Sequence, residues 1–394
     1  MTVQDENSTL RLRGQHSEKV TVALVSKYVP QGVGGIENHL DMLLRHVSAP
    51  NCSYTFIAGS GADARRSGRA RGYLHFVQRL RRSRSEIMHF HGFDRLQLIT
   101  LMLVVRRRIP LVVTPHNGVA AIVNDQNSVR RLAKRWIDGV LFPALIRQRA
   151  RIIALTTEER DYYRARFPGS AHLVEVLPNP IGKHEWAPLT PATAAVRLLS
   201  ISRLDPWKRT QDLISAMAVL APEVECDIAG PDYGAAAALQ EQARLVARTI
   251  RFHGAVRGAE KEQLFEDASI VVVPSKAEGL STVALEALAR GIPVIVSDCA
   301  ARGLPAEGVY RYPFGSVADL AQTIEHLLAG ENLVAARQAA RRASAALVGY
   351  DDYGQALRFL YRSSAEQHRN GVTPRARDRQ QRRLRAASGD GRPA

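Results

Sequence analysis

The sequence predicts an α/β fold made of two Rossmann-like domains, each a doubly wound parallel sheet, that face each other across a cleft. Three observations favour this fold. The chain has 394 residues, 45% of them hydrophobic, which is enough for two domains that each bury a core. Short, continuously apolar runs alternate with helix-length amphipathic segments, as in parallel sheets that are buried on both faces. A proline-rich stretch interrupts this alternation, which then begins again.

The first set of apolar runs predicts six strands. They lie at residues 20–26, 53–59, 87–92, 111–117, 151–156 and 172–179. Between them, IENHLDMLLRHV and RLQLITLMLVVRR have the spacing of amphipathic helices. The repeated order of strand, helix and strand predicts one doubly wound domain.

The second set of apolar runs predicts another six strands, after a linker that contains four prolines at 178–196. They lie at residues 196–202, 225–230, 250–256, 269–275, 293–298 and 308–313. Helices are expected over 317–348, and Gly349 separates them from a last helix, YDDYGQALRFLYR.

These elements divide the chain into six parts. They are a disordered N-terminus (1–18), a first Rossmann-like domain (19–180), a linker (181–195), a second Rossmann-like domain (196–348), a C-terminal helix (349–362) and a basic disordered tail (363–394). The tail is assigned as disordered because it is rich in arginine and lacks apolar periodicity.

Cysteine usage and hydropathy indicate a cytoplasmic protein, either soluble or peripheral at the inner face of the membrane. Cys52, Cys226 and Cys299 have neither disulfide-framework nor zinc-site spacing. The first ten residues are polar and acidic, unlike a signal peptide, and the longest apolar run, LQLITLMLVV, is too short to span a bilayer.

The net charge of +16 is concentrated in arginine clusters. They lie at 65–84, at 106–108, around 130–135 and after Arg362. Because no zinc finger, helix-turn-helix, RNA-recognition signature or aromatic platform accompanies them, we expect no nucleic-acid partner. An anionic membrane surface, a phosphorylated lipid acceptor and a merely solvated basic face remain as alternatives.

Two loops that follow strands can bind an anion. In YVPQGVGGIENHL, Gly32, Gly34 and Gly35 precede a helix whose N-terminus offers free amides and the positive end of its dipole. The stretch lacks the full GxGxxG and Walker patterns, so a packing role is equally open. In ISRLDPWKR, Arg203 and Lys208 can neutralise a diphosphate or remain solvated surface cations.

The strongest signal is AEGLSTVALEALA, which places two carboxylates eight positions apart across a strand-to-helix turn. Glu278 lies in the loop, and Glu286 lies about one turn into a helix that starts near Ser281 or Thr282. Both carboxylates can reach one crevice at the carboxyl edge of the sheet and accept hydrogen bonds from vicinal hydroxyls. The alternative is one glutamate that complements the helix dipole and another on a solvated face.

Histidines stand where two strands of the first domain end. We expect His89 and His91 to point to opposite faces of the sheet and therefore not to share a metal ion, and we favour His91 over His116 as the residue in the cleft. A core or surface role for each histidine stays open. No Asp-x-Asp triplet occurs, so no carboxylate-held metal is expected at a diphosphate.

Taken together, these stretches resemble glycosyltransferase family 4, retaining enzymes of the GT-B fold. The motifs follow the family order from about residue 20 to residue 362. They are GGIENH, HFHG, TPHNG, VLPNPIG, SRLDPWKR, IAGPD, FHGAV and PSKAEGLSTVALEALARGIPVIVSD. Two departures are the KRTQD loop, where the family usually has a glycine after the lysine, and VLPNPIG, where NG is commoner.

The resemblance implies a role for each candidate residue. Gly34 and Gly35 would face the donor diphosphate, and Arg203 and Lys208 would bind it. Glu278 would contact the donor sugar, with the amides of Gly279, Leu280 and Ser281 nearby. Glu286 would hold the ribose hydroxyls at the other end of the donor, and His91 would lie beside the reacting sugar. The resemblance also implies that the first domain (19–180) binds the acceptor, that the second (196–348) binds the nucleotide sugar, and that the last helix crosses back to the first domain.

The expected activity is retaining transfer of a hexose from a UDP- or GDP-linked sugar to a glycan, a lipid-linked acceptor or another membrane-borne acceptor, without a metal. Two alternatives are another GT-B enzyme, such as a nucleotide-sugar epimerase, and a catalytically inactive binding or scaffold protein at anionic membranes.

Overall fold

The computed structural model contains two parallel six-stranded sheets with helices on their faces. It describes residues 20–28, 30, 34–47, 52–58, 69–92, 95–105, 108–116, 139–186 and 196–371. The predicted disordered N-terminus, most of the linker, the arginines around 130–135 and residues 372–394 of the predicted tail lie outside these ranges.

The first sheet has the strand order β2-β1-β3-β4-β5-β6. Its strands are β1 (Val20–Ser26), β2 (Cys52–Ala58), β3 (Ile87–His91), β4 (Leu111–Thr114), β5 (Arg151–Ala154) and β6 (Val174–Val176). The described helices with defined ends in this half are α1 (Gly35–Arg45), α2 (Arg69–Arg82), α3 (Arg95–Val105) and α4 (Thr157–Arg166). The chain order reverses between β1 and β3, so the loop after β1 opens at the switch point of the sheet.

The second sheet has the strand order β12-β11-β10-β7-β8-β9. Its strands are β7 (Val196–Ile201), β8 (Val224–Ala229), β9 (Ile250–Gly254), β10 (Ile270–Val273), β11 (Val294–Ser297) and β12 (Val309–Tyr312). Its helices are α5 (Thr210–Met217), α6 (Ala236–Val246), α7 (Gly258–Asp267), α8 (Thr282–Ala289), α9 (Val317–Leu328) and α10 (Asn332–Ser344). Here the switch point lies between β7 and β10, the strands that lead into the two charged motifs.

All twelve predicted strands are confirmed, with ends that differ by at most three residues. Most are buried on both faces because apolar clusters cover both sides of each sheet. This burial explains why the strands read as continuous apolar runs rather than as alternating patterns.

The last helix, α11 (Tyr350–Gly371), is longer than the sequence predicted. The predicted end at residue 362 is wrong, because the helix continues through 363–371, a segment assigned to the disordered tail. Tyr353, Leu357 and Tyr361 pack with β1 residues in the core of the first sheet. This packing supports a helix that local composition alone does not predict.

Candidate active site

A cavity of about 950 Å³ lies between the carboxyl edges of the two sheets. Its wall includes nearly all of the residues that the sequence singled out. Those residues are Gly34, Gly35, Arg203, Lys208, Glu278, Leu280, Ser281 and Glu286. Gly279 and His91 are not part of this wall. The cavity also receives Tyr350 from α11, so both sheets and the final helix form it.

On the first sheet, the N-terminus of α1 faces the cavity. Gly34 is the residue before the helix, has an extended backbone and provides no capping side chain. A side chain here would collide with the carboxylate of Glu37. Gly34 and Gly35 both line the cavity, so the N-terminal end of α1 faces it.

On the second sheet, the loop after β7 holds Lys208 against Glu278. The Asp205 carboxylate accepts a hydrogen bond from the Trp207 amide at 2.9 Å, and the Asp205 carbonyl accepts one from the Lys208 amide at 3.1 Å. This tight turn directs the ammonium of Lys208 to the Glu278 carboxylate, 2.6 Å away. With side-chain exposures of 17% and 15%, the pair is shielded from bulk water and is not a solvated surface contact.

Arg203 stands at the end of the same strand with its guanidinium oriented by two neighbours. It lies 3.1 Å from the Asp205 carboxylate and 5.2 Å from the centre of the Tyr233 ring. Arg203, Lys208 and Tyr233 all line the cavity. The loop thus places two cationic side chains at the wall of one cavity.

The second glutamate has a lysine partner that the sequence did not identify. Helix α8 begins at Thr282, and Ser281 caps it by accepting a hydrogen bond from the Ala284 amide. Glu286 therefore lies one turn into the helix, as predicted, and its Oε2 is 2.7 Å from the Nζ of Lys261 on α7. Lys261 comes from a separate helix and lies in no recognisable motif, which is why sequence reasoning missed it.

The histidines differ most from the sequence prediction. The prediction that His89 and His91 point to opposite faces is wrong, because side chains two positions apart in a strand share a face. Their ring centroids are 3.9 Å apart. His91 is fully buried, whereas His116, which the prediction set aside, lines the cavity directly in front of it, with 3.2 Å between His91 Nδ1 and His116 Nε2.

A buried hydrogen-bonded network extends behind these two rings. His89 contacts the Tyr361 hydroxyl at 2.7 Å and the Thr114 hydroxyl at 2.8 Å. His39, from the GGIENH motif, lies 3.3 Å from the Tyr353 hydroxyl. Helix α11 thus supplies two of the hydroxyls that order the histidines, a contribution that no local sequence pattern indicates.

Burial keeps these imidazoles neutral. It lowers the pKa of His39 to about 4, although a hydrogen bond from the ring to the Asn179 side chain partly offsets the effect. Burial, and secondarily the neighbouring histidines, lower the pKa of His89, His91 and His116 well below the usual 6.5. The first sheet therefore presents uncharged donors and acceptors, whereas the second presents lysines, an arginine and carboxylates.

Two family models match this chain. Residues 33–183 match the model described as Glycosyltransferase Family 4, and residues 195–330 match the model described as Glycosyl transferases group 1. The two matches fall on the first and second sheets, respectively. A comparison with curated proteins found no match.

Several solved structures share the fold. HepE from Anabaena, in complex with UDP and glucose, is 18% identical, with a TM-score of 0.69, and the alignment covers 86% of this chain and 99% of that one. Sucrose-phosphate synthase from Thermosynechococcus elongatus is 19% identical over 87% of this chain and 98% of that one, with a TM-score of 0.69. The lipopolysaccharide outer core galactosyltransferase WaaB, in its apo form, is 18% identical over 89% and 100%, with a TM-score of 0.59.

Within the described ranges, every helix is too short or too polar to cross a membrane.

Proposed function

We propose that this chain, which belongs to glycosyltransferase family 4 and has the GT-B fold, is a retaining hexosyltransferase that uses a nucleotide diphosphate sugar. The observation that carries this proposal is the arrangement of the cavity. The Lys208–Glu278 and Lys261–Glu286 pairs lie on one side of it, and the open N-terminus of α1 lies on the other.

The diphosphate would bind where positive charge converges. Arg203, Lys208 and the first amides of α1 all line the cavity and can hydrogen-bond to phosphate oxygens. When Lys208 turns toward a phosphate, its partner Glu278 becomes free to accept hydroxyls of the donor sugar. Glu286 would hold the ribose hydroxyls at the other end of the donor, positioned by Lys261.

The same groups would lower the barrier to transfer. As the bond between the anomeric carbon and the phosphate oxygen breaks, negative charge grows on the leaving diphosphate and positive character grows on the sugar. Preorganised cations and amides stabilise the leaving group in this setting without a metal. We propose that the acceptor oxygen forms its bond to the anomeric carbon on the same face, and that its proton passes to the leaving phosphate oxygen.

His116 lines the cavity and would contact the reacting sugar, whereas His91 is fully buried behind it and would act through its 3.2 Å contact with His116. His91 and His116 are neutral, so they can donate and accept hydrogen bonds without adding charge where the sugar becomes electron-poor. A protonated imidazole at this position would oppose the developing positive character.

A membrane-borne acceptor is proposed from the outer surface of the first half. Helices α2 and α3 pack side by side and expose apolar and basic side chains together. The exposed residues are Arg71, Leu74, Arg81, Arg82, Leu96, Ile99 and Leu103. Apolar insertion combined with basic charge is the physical requirement for binding an anionic bilayer. The experiment is co-sedimentation with anionic liposomes, which should succeed at low salt and weaken as salt is raised.

The deciding experiment identifies the donor. UDP, GDP, ADP and their sugar conjugates are titrated calorimetrically in EDTA against the wild type and Glu286→Ala, and NMR then reads the anomeric configuration of any product. One nucleotide class should bind the wild type and lose affinity in the variant. The fold neighbour HepE, whose structure holds UDP and glucose, supports testing UDP first. Absence of binding would overturn the proposal, and tight binding without turnover would favour the inactive binding protein.

A further inference from the structure

Three histidines from three separate elements meet at the deep end of the cavity. His39 comes from α1, His91 ends β3, and His116 follows β4. One ring nitrogen from each lies within 4.8 Å of the corresponding nitrogens of the other two. Neighbouring strands and the helix that follows β1 bring them together, so the cluster depends on the sheet order rather than on a local motif.

The spacing is close to that of a tetrahedral metal site. His91 Nδ1 and His116 Nε2 are 3.2 Å apart. Nitrogen ligands that bind zinc at 2.0 to 2.1 Å with tetrahedral angles lie about 3.3 Å from each other. The His39 ring centroid is 4.8 Å from that of His116 and 5.4 Å from that of His91, so a small movement of the His39 ring completes a three-nitrogen set.

The chemical state of the rings also suits a metal. The ligand atoms in this arrangement are Nδ1 of His91 and Nε2 of His116, the two nitrogens that already face each other at 3.2 Å. Burial holds all three rings in the neutral form, in which a nitrogen lone pair is available to a cation.

A hydrogen-bonding partner behind one ring and access from the cleft also suit a metal site. The Tyr353 hydroxyl lies 3.3 Å from Nε2 of His39, which can fix the orientation of that ring. His116 has a positive φ of 63° and lines the cavity. A cation that enters the cleft therefore meets His116 first, and a fourth coordination position can face the cavity.

We propose that His39, His91 and His116 form a binding site for one imidazole-preferring divalent cation of the zinc class, and that the bound cation blocks sugar transfer. The blocking part rests on the proposed function, in which His116 faces the reacting sugar. A bound cation would take up the His116 nitrogen that otherwise serves the sugar. This site is separate from the diphosphate-binding cations on the second sheet.

The test uses the full-length chain without an affinity tag, and the probes are CoCl₂ and ZnCl₂. Cobalt should give the intense visible absorption of a four-coordinate ion, and one equivalent of zinc should abolish it. X-ray absorption at the zinc edge should show three imidazole ligands. His39→Gln and His116→Gln should each weaken zinc binding at least about 10-fold, since losing a ligand costs no less than losing an outer contact.

The matched control is His326→Gln, which removes an exposed histidine on α9 and should leave zinc affinity unchanged. Absence of the cobalt spectrum, fewer than three imidazoles at the zinc edge, or equal binding by all three variants would overturn the site. The wild-type spectra decide this even if a cluster variant fails to fold.

Inhibition is measured separately. Zinc should inhibit wild-type transfer at concentrations near its dissociation constant, and the inhibition should weaken in parallel with binding in each cluster variant, relative to that variant's own metal-free rate. Zinc that binds without slowing transfer would overturn the inhibitory role alone. If the chain proves to have no transferase activity, the proposed function and the inhibitory role fall, while the cobalt and zinc spectra still decide the site.

Discussion

The two edges of the cleft solve the problem of burying polar groups in opposite ways. The second sheet holds partly buried charges and pairs them, as in Lys208 with Glu278 and Lys261 with Glu286. The first sheet buries titratable rings and keeps them neutral, with hydroxyls such as Tyr361 as partners. A paired charge can change partners when an anionic ligand arrives, whereas a neutral ring can hydrogen-bond to a sugar without a large electrostatic change.

Removing one charge on the second sheet should have the largest effect. Lys208→Met keeps the aliphatic stem but removes the ammonium, and it should lower kcat about 10²- to 10³-fold, the range for losing one preorganised donor. Transfer kinetics with the donor found in the nucleotide panel measure this loss. Lys276→Met is the matched control, because Lys276 lies over Trp207 outside the cavity wall. Equal losses in both variants would contradict the role of Lys208.

Neutralising the second carboxylate should weaken donor binding by a smaller amount. Glu286→Gln retains the shape of the side chain but loses the charge-assisted acceptor, worth about 1.5 to 3 kcal/mol, so the nucleotide Kd should rise about 10- to 100-fold. Calorimetry measures the Kd, and Glu266→Gln, which alters an exposed glutamate on α7, should leave it unchanged. An unaltered Kd in Glu286→Gln would show that this carboxylate does not hold the donor.

A substitution at a contact between the two halves should test whether that contact holds the two edges of the cleft in place. Gly303 has a φ of 69°, and a Cβ there would lie closer than 3.0 Å to the side chain of Thr156 from the first half. Gly303→Ala should therefore destabilise the chain by more than the roughly 1 to 2 kcal/mol of left-handed backbone strain. Gly315→Ala is the matched control, because Gly315 has a φ of 80° and open space around it. Equal shifts in Tm would mean that the contact with Thr156 is not retained in solution.

The neutral histidines should make stability depend on pH. In the folded chain the pKa of His39 is about 4, against 6.5 when unperturbed, so between these values the unfolded chain binds more protons. Stability is therefore complete above about pH 6.5 and falls as the pH drops, by about 1.4 kcal/mol per pH unit for each such proton. Urea unfolding at several pH values measures the slope.

The variant His39→Gln should lower the slope of stability against pH by the contribution of one proton, about 1.4 kcal/mol per pH unit. His326→Gln should not change the slope. A slope that is the same in the wild type and in His39→Gln would show that His39 is not kept neutral by burial. The first sheet would then not be the neutral edge of the cleft.

The prediction of the fold from the sequence was nearly complete because its signals are local. Each strand is a short apolar run, and each was found. The charged residues Arg203, Lys208, Glu278 and Glu286 were also found, because parallel strands present their following loops at one edge. The end of α11 was missed, since residues 363–371 are polar and their helix depends on packing against β1 upstream.

The sequence alone therefore determined the order of the elements and the positions of the loops that lead into the cleft. The tertiary structure decided which side chains meet there: Lys261 with Glu286, Tyr350 at the cavity wall, and His39 with His91 and His116. The physical reason is that hydrophobic periodicity is a property of neighbours along the chain. Pairing and burial of polar groups depend instead on which strands lie side by side and on what covers them.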